Sequence, residues 1–232
     1  LIGLAGVAGV AATGVVLAVR RRDQGTYDAD EVRDHYFWMF DAIKQRGLPA
    51  HISVKPTQLG LDQSEAKCRE HCLAIAARAE ASGSALWIDM EDSTYVDRTL
   101  ARYEAVKAKH PKTGLALQSY LYRTPKDLER LRPLKPVIRL VKGAYSEPPN
   151  VAYPSNKDVD AQFLRLAWRL LDARCSLYLG RGFGTHDMRL IQQIRDYAKA
   201  KGVPDEAYEV QLLYGIRSGD QRRLAAEGAR VR

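Results

Sequence analysis

The sequence predicts an α/β chain built on a parallel sheet. Three observations lead there. Short β-branched or apolar runs alternate strictly with longer amphipathic stretches, at intervals of roughly 20 to 40 residues, as βα units require. Glycine or proline closes most of the amphipathic stretches. Polar side chains recur at the carboxyl ends of the apolar runs. Six or seven such strands suit either a doubly wound sheet or a (βα)8 barrel.

The elements follow in order. Asp30 to Arg46 reads as a helix, with Val32, Tyr36, Met39, Phe40 and Ile43 at helical spacing and Gly47 after it. His51 to Lys55 reads as a strand, Glu65 to Ala81 as a helix closed by Gly83, and Leu86 to Met90 as a strand. Val96 to Lys109 is a helix ended by Pro111, Gly114 to Ser119 a strand, and Pro125 to Leu131 a short helix. Val137 to Val141 is a strand, followed by a loop bearing Pro148, Pro149 and Pro154. Asp158 to Ala173 is a helix, Leu177 to Leu179 a strand, Met188 to Lys201 a helix, Tyr208 to Leu213 a strand and Ser218 to Glu227 a helix. A further strand is expected to start at Val231-Arg232.

Residues 1 to 19 carry no charge and are followed by Arg20-Arg21-Arg22. The run is long enough for a membrane span with a basic stop, yet rich in glycine and alanine. It reads either as an anchor or as a buried element ending in a first strand near Thr13 to Ala18. The basic residues follow the apolar run, against the order of a signal peptide. Residues 1–22 are thus set apart from a domain spanning 23–232.

The 232 residues are 46% hydrophobic and 28% charged, enough for a sizeable core. The net charge of +8 favours anionic partners or a solvated basic surface. No nucleic-acid motif accompanies it, which argues against that class of partner. Three cysteines, an odd number, argue against a disulfide framework and for a reducing compartment. Cys68 and Cys72, with His71 beside them, could face one way on a helix, but no second cluster completes a metal site.

The strand-end residues carry the chemistry. Lys55, Asp89, Gln118, Ser119, Lys142, Thr185, His186, Asp187 and Gln211 lie near the end of a predicted strand or after it, and Arg139 lies within one. In a parallel barrel those ends form one face, where active sites are built. Lys55 suits a substrate carboxylate. Arg139 suits an anion or an electron-poor ring in fork geometry, and Asp89 offsets their charge. An ion pair of Asp89 with Arg139 that serves only the fold is the competing reading, and for His186 a satisfied loop histidine. Gly180-Arg-Gly-Phe-Gly184 has glycine at alternate positions, as a weak phosphate-loop signal or as a bulged strand end.

Arg139-Leu-Val-Lys-Gly-Ala-Tyr145 resembles the signature of the flavin-dependent proline dehydrogenases. Five further blocks agree in order: Ser53 to Gly60, Ile88 to Ser93, Leu117 to Arg123, Gly184 to Asp187 and Gln211 to Gly215. The resemblance runs from about Asp30 to Arg232. It implies a distorted (βα)8 barrel that binds FAD and oxidises L-proline to 1-pyrroline-5-carboxylate. Hydride passes to flavin N5 and electrons pass on to a membrane quinone, so it also implies a cytoplasmic protein, peripheral at the inner face of the membrane. By the same resemblance Lys55 holds the proline carboxylate, and Tyr145 and Leu213 wall the substrate pocket. Asp89 pairs with Arg139, which lies against the flavin. Met90, Gln118, Lys142, Gly143, Ala144, Thr185, His186 and Gln211 contact FAD. Gly143 is expected to let the backbone approach the cofactor, and residues 146–157 to form a lid.

Departures from the pattern accompany it. The family's last βα unit carries a Tyr-x-x-Arg-Arg stretch that clamps the substrate carboxylate, and this sequence stops before it, so the barrel is expected to lack its last βα unit. Arg222-Arg223 lies in the preceding helix and is not that pair. Pro56 stands where Leu is usual, Gly184 where Ala is usual, and Gly180-Arg-Gly reads as an insertion. A truncated flavin-binding barrel with little proline oxidation is the alternative these departures raise.

Overall fold

The computed structural model describes residues 28–172 and 180–232. The strand expected near Thr13 to Ala18 and the one at Leu177 to Leu179 lie outside those residues.

Six strands form one parallel sheet in sequence order: β1 (Ile52–Val54), β2 (Leu86–Ile88), β3 (Gly114–Gln118), β4 (Val137–Val141), β5 (Gly180–Gly184) and β6 (Glu209–Gln211). The helices are α1 (Ala29–Gln45), α2 (Glu65–Ala81), α3 (Val96–Lys107), α4 (Thr124–Leu131), α5 (Asn156–Leu171), α6 (Met188–Ala200) and α7 (Ser218–Ala226). Each strand pairs with the next one in the chain, the right condition for a progressive βα winding.

Side-chain parity separates two faces. Ile52, Val54, Leu86, Ile88, Leu115, Leu117, Ile138, Leu140, Phe183 and Val210 point away from the cavity and are buried in the core. The helices cover them with Phe40, Ile75, Leu100, Tyr103, Phe163 and Ile191. The other parity carries Ser53, Trp87, Ala116, Gln118, Arg139, Val141, Gly184 and Gln211, which line a single cavity.

The sheet must curl for this to happen. Arg139 on β4 hydrogen-bonds Ser53 on β1 at 3.1 Å. In a flat sheet three strand spacings of about 4.8 Å would put those strands roughly 14 Å apart, beyond the reach of one arginine. At the far edge Val231 bridges Val210 in parallel, the beginning of the further strand expected at Val231-Arg232. Arg232 then crosses toward β1 and donates to the Pro49 carbonyl at 3.2 Å.

Local sequence explains the helix starts. Asp28, Ser64, Ser155 and Asp187 each accept from an amide of the first turn of α1, α2, α5 and α6. Helix α2 and strand β4 occupy the residues their periodicity predicts. The sequence places a strand at Leu177 to Leu179, outside the described residues, and reads Gly180 to Gly184 as a phosphate loop, a bulged strand end or, at Gly180-Arg-Gly, an insertion. In the structure Gly180 to Gly184 is a strand, in register with Val137 to Val141. The phosphate-loop reading of Gly180 to Gly184 is therefore incorrect.

Candidate active site

The cavity has a volume of about 560 Å³ and opens at the carboxyl ends of the strands. It is within the usual range for small-molecule sites. Strand β4 brings Arg139 into its centre because residues 137, 139 and 141 share the inward parity. The guanidinium donates to Asp89 Oδ1 and, through both Nη atoms, to Ser53 Oγ at 3.1 Å. It also lies over the Trp87 ring, 5.0 Å from the centroid. Asp89 follows the last residue of β2 and is held by its amide, which donates to the Val54 carbonyl at 2.9 Å. Its second oxygen is 3.7 Å from Lys55 Nζ. One carboxylate thus sits between two cations, as expected for Lys55, Asp89 and Arg139.

Beneath Arg139, Trp87 Nε1 donates to His51 Nδ1 at 3.2 Å. Burial, reinforced by the positive charge of Arg232, pushes the His51 pKa down to about 4. His51 is therefore neutral at physiological pH and can accept that bond. At the same end, burial raises the Glu209 pKa but hydrogen bonding and charge from Arg232 outweigh it, bringing it down to about 2. Arg232 holds Glu209 at 2.9 Å through both Nε and Nη2.

Met90, Gln118, Lys142, Gly143, Ala144, Tyr145, Thr185, His186, Gln211 and Leu213 all line the same cavity. Gln118 Nε2 donates to the Glu91 carbonyl at 2.6 Å, while its Oε1 is buried without a partner. His186 Nε2 accepts from the Leu213 amide at 3.4 Å. That leaves the ring proton on Nδ1, which is also buried and unpartnered. Thr185 Oγ1 accepts from the Asp187 amide at 3.2 Å. Gln211 Nε2 is engaged with Glu209 at 3.1 Å. Lys142 leans outward to Asp160 at 2.5 Å. Tyr145 is 36% exposed and Leu213 57% exposed, at the mouth. Burial raises the Tyr145 hydroxyl above its ordinary pKa, and the charge of Lys55 opposes the rise.

Gly143 lines the cavity and, with φ of +133°, also packs on an aromatic ring: a Cβ there would lie 2.4 Å from Tyr120 Cδ1. That contact and the positive φ both call for glycine. None of residues 146–157 lines the cavity, against the expected lid. The segment is tied sideways, with Tyr122 donating from its amide to Val151 O at 3.1 Å and Tyr153 to Tyr120 O at 2.9 Å.

Cys68, His71 and Cys72 face the core on α2. Cys68 Sγ donates to Pro56 O at 3.5 Å, and His71 spans Leu59 O and Asp30. Among the described residues no group of three or more His, Cys, Asp and Glu side chains is arranged for a metal ion. Arg222 and Arg223 lie in α7, as expected. Sequence motifs missed His51, Trp87 and Arg232, and Ser53 stood in a motif block without a role. His51, Ser53 and Trp87 share inward parity with the site residues, and that period of two is the signal that could have found them.

Comparison with known proteins places this geometry. A family model described as proline dehydrogenase matches residues 18–232. The chain is 36% identical over 206 residues to proline dehydrogenase 1 of Bacillus subtilis (strain 168), covering 88% of this chain and 67% of that protein. It is 38% identical over 209 residues to proline dehydrogenase of Deinococcus radiodurans, covering 87% and 66%. The chain therefore spans about two thirds of the length of these curated relatives. Its fold is similar to that of proline utilization A from Bdellovibrio bacteriovorus, a structure of the protein inactivated by N-propargylglycine. The TM-score is 0.85 at 20% identity, covering 95% of this chain and 28% of that one. Given the family match over most of the sequence, this chain belongs to the proline dehydrogenase family.

Proposed function

We propose that the protein oxidises L-proline to 1-pyrroline-5-carboxylate, using FAD, in a (βα)8-type barrel of which the described strands form the larger part. The observation that carries this reading is the Lys55–Asp89–Arg139 arrangement inside a cavity with unsatisfied polar atoms on its wall. The residues fit a flavin. Gln118 Oε1 offers an acceptor and His186 Nδ1–H a donor, matching a ring edge that alternates donors and acceptors. The inward-facing residues of β5 are glycines, and a Cβ at Gly184 would meet Val141 Cγ1 at 2.9 Å, so that wall stays flat. Met90, Lys142, Gly143, Ala144, Thr185 and Gln211 complete the proposed cofactor wall.

Bound FAD supplies the hydride acceptor, at N5. The chain's own residues do the rest. Lys55 holds the substrate carboxylate as a point charge at the mouth. Tyr145 and Leu213 enclose the apolar ring and keep water away from it. Arg139, fixed by Asp89, Ser53 and Trp87, holds a rigid positive charge in the cavity that would favour negative charge on a flavin bound there. Asp89 stops Lys55 and Arg139 from repelling each other. The proline dehydrogenase relatives by name act on proline. A quinone acceptor, and with it peripheral association with the cytoplasmic face of a membrane, goes with that chemistry. No helix among the described residues is long and apolar enough to cross a membrane. Residues 1–22 are proposed as a segment apart from the 23–232 barrel domain.

A flavin-binding barrel with slow turnover is the second reading. It is favoured by the exposure of Lys55, whose side chain is 41% exposed and shares its charge with Asp89. Proline titration of the FAD-loaded chain separates the two. Proline-dependent dye reduction that drops in Lys55→Met through a higher KM supports the first reading. Flavin binding with no such reduction selects the second.

A further inference from the structure

Lys55, Asp89 and Tyr145 stand on three loops, just beyond β1, β2 and β4, and two glutamates tie those loops together. Glu91, two residues after Asp89, is buried and accepts from the Thr57 amide at 3.0 Å and from Thr57 Oγ1 at 2.6 Å. Thr57 is two residues after Lys55. Glu147, two residues after Tyr145, accepts from the Ser93 amide at 2.7 Å and from Ser93 Oγ at 2.5 Å. Ser93 is four residues after Asp89. In both cases one carboxylate takes the amide and the hydroxyl of a residue in the first turn of a 3-10 helix, Pro56–Leu59 or Ser93–Tyr95. The β2 loop therefore clasps the β1 loop, and the β4 loop clasps the β2 loop. Bonds of this kind, with a charged acceptor and two donors, are short and directional.

The clasp matters most for Tyr145. The far half of the β4–α5 loop is fixed on the β3 loop, through Tyr122 with Val151 and Tyr120 with Tyr153. The near half, from Tyr145 to Glu147, meets the β2 loop through Glu147. We propose that Glu147 is a positioning residue: by gripping Ser93 it holds Tyr145 across the cavity from Lys55 and Asp89, and so sets the affinity for the substrate without touching it. Glu91 holds the turn that begins on Lys55 in the same way. The substrate part of this inference rests on the proline-oxidising reading above.

The experiment uses the FAD-loaded 232-residue chain, with Glu147→Ala, Ser93→Ala, the double variant, and Ser93→Thr, which restores the hydroxyl. Hydrogen exchange of the peptides covering 144–153 and KM with kcat for L-proline are measured together. Glu147→Ala is expected to speed exchange in that segment and to raise KM about tenfold, and Ser93→Ala, which keeps the amide bond to Glu147, to do both to a smaller extent, with kcat and FAD affinity nearly unchanged. The double variant should be no worse than Glu147→Ala, since the two side chains form one contact. Ser93→Thr should behave as wild type. Unchanged exchange in Glu147→Ala overturns the clasp. Faster exchange with unchanged KM overturns its positioning role. If wild type itself shows no proline oxidation, the functional reading fails, and the exchange measurement alone then decides the clasp.

Discussion

Arg139 shows how much of the site depends on one side chain. Its guanidinium is shared among a carboxylate, a hydroxyl and an indole face, so its orientation is fixed on three sides. Lysine would keep the charge and lose the fork. Arg139→Lys should slow proline-dependent reduction about ten- to hundredfold, the equivalent of one charge-assisted hydrogen bond, measured under single-turnover conditions. Unchanged rates would show that charge alone is enough. His51 supplies a pH test. Its pKa is about 4 in the folded protein against an ordinary 6.5, so the unfolded chain takes up a proton first as pH falls. Folding stability should therefore decline from about pH 6.5 down to about pH 4 and then level off. At pH 5 the cost is roughly 2 kcal/mol. Urea unfolding of wild type and His51→Asn at pH 7 and pH 5 should show this difference, and parallel behaviour would refute it. Residues of the site were legible where a motif carries them: Lys55, Asp89, Arg139 and Tyr145 all reach one cavity. His51 and Trp87 belong to no motif. Their roles arise from a contact between neighbouring strands that no motif encodes; the period of two along those strands is the one local signal.

Two glycines set apart elements that differ in tolerance. Gly143 combines φ of +133° with a rigid aromatic neighbour, Tyr120. Gly143→Ala should lose about 2 to 4 kcal/mol, from backbone strain and overpacking together, visible as a clear drop in Tm. Gly182 faces only the amide end of Gln211, at 2.8 Å. That atom is the far end of a flexible side chain, so Gly182→Ala should cost under about 1 kcal/mol; a larger loss would mean that burial of Gln211 and its bond to Glu209 hold it in place. The same glycines explain what the sequence concealed. Strand β5 has alternate glycines and a charged residue, against every strand propensity. Its pairing with β4 and the burial of Phe183 make it a strand. Helix α2 and strand β4 were readable because their caps, periodicity and packing all agree. The proline-rich segment after β4 reads as a lid from composition, but its backbone bonds run to the neighbouring β3 loop.

At the scale of the whole molecule, the curl of the sheet is the feature that makes function possible. It brings Ser53 and Arg139, 86 positions apart, into one hydrogen bond. Alternation of strands and helices made the parallel sheet legible, and the family resemblance singled out a barrel over a doubly wound sheet. The closing contacts, such as Arg232 to Pro49, were not legible because they join distant ends through a backbone carbonyl. The net charge of +8 is largely a surface property. Arginines such as Arg98, Arg123, Arg130 and Arg195 are paired with carboxylates at or near the surface. Pairs of that kind contribute little to stability. On the proposed reading, this curled sheet presents a flavin to proline with Lys55, Asp89 and Arg139 in place. The most direct measurement is the visible flavin spectrum of the FAD-loaded chain on anaerobic addition of L-proline. Saturable bleaching of the oxidised flavin band is expected, lost in Arg139→Met and shifted to higher proline concentration in Lys55→Met. A bound flavin whose spectrum is unaffected by proline would contradict it.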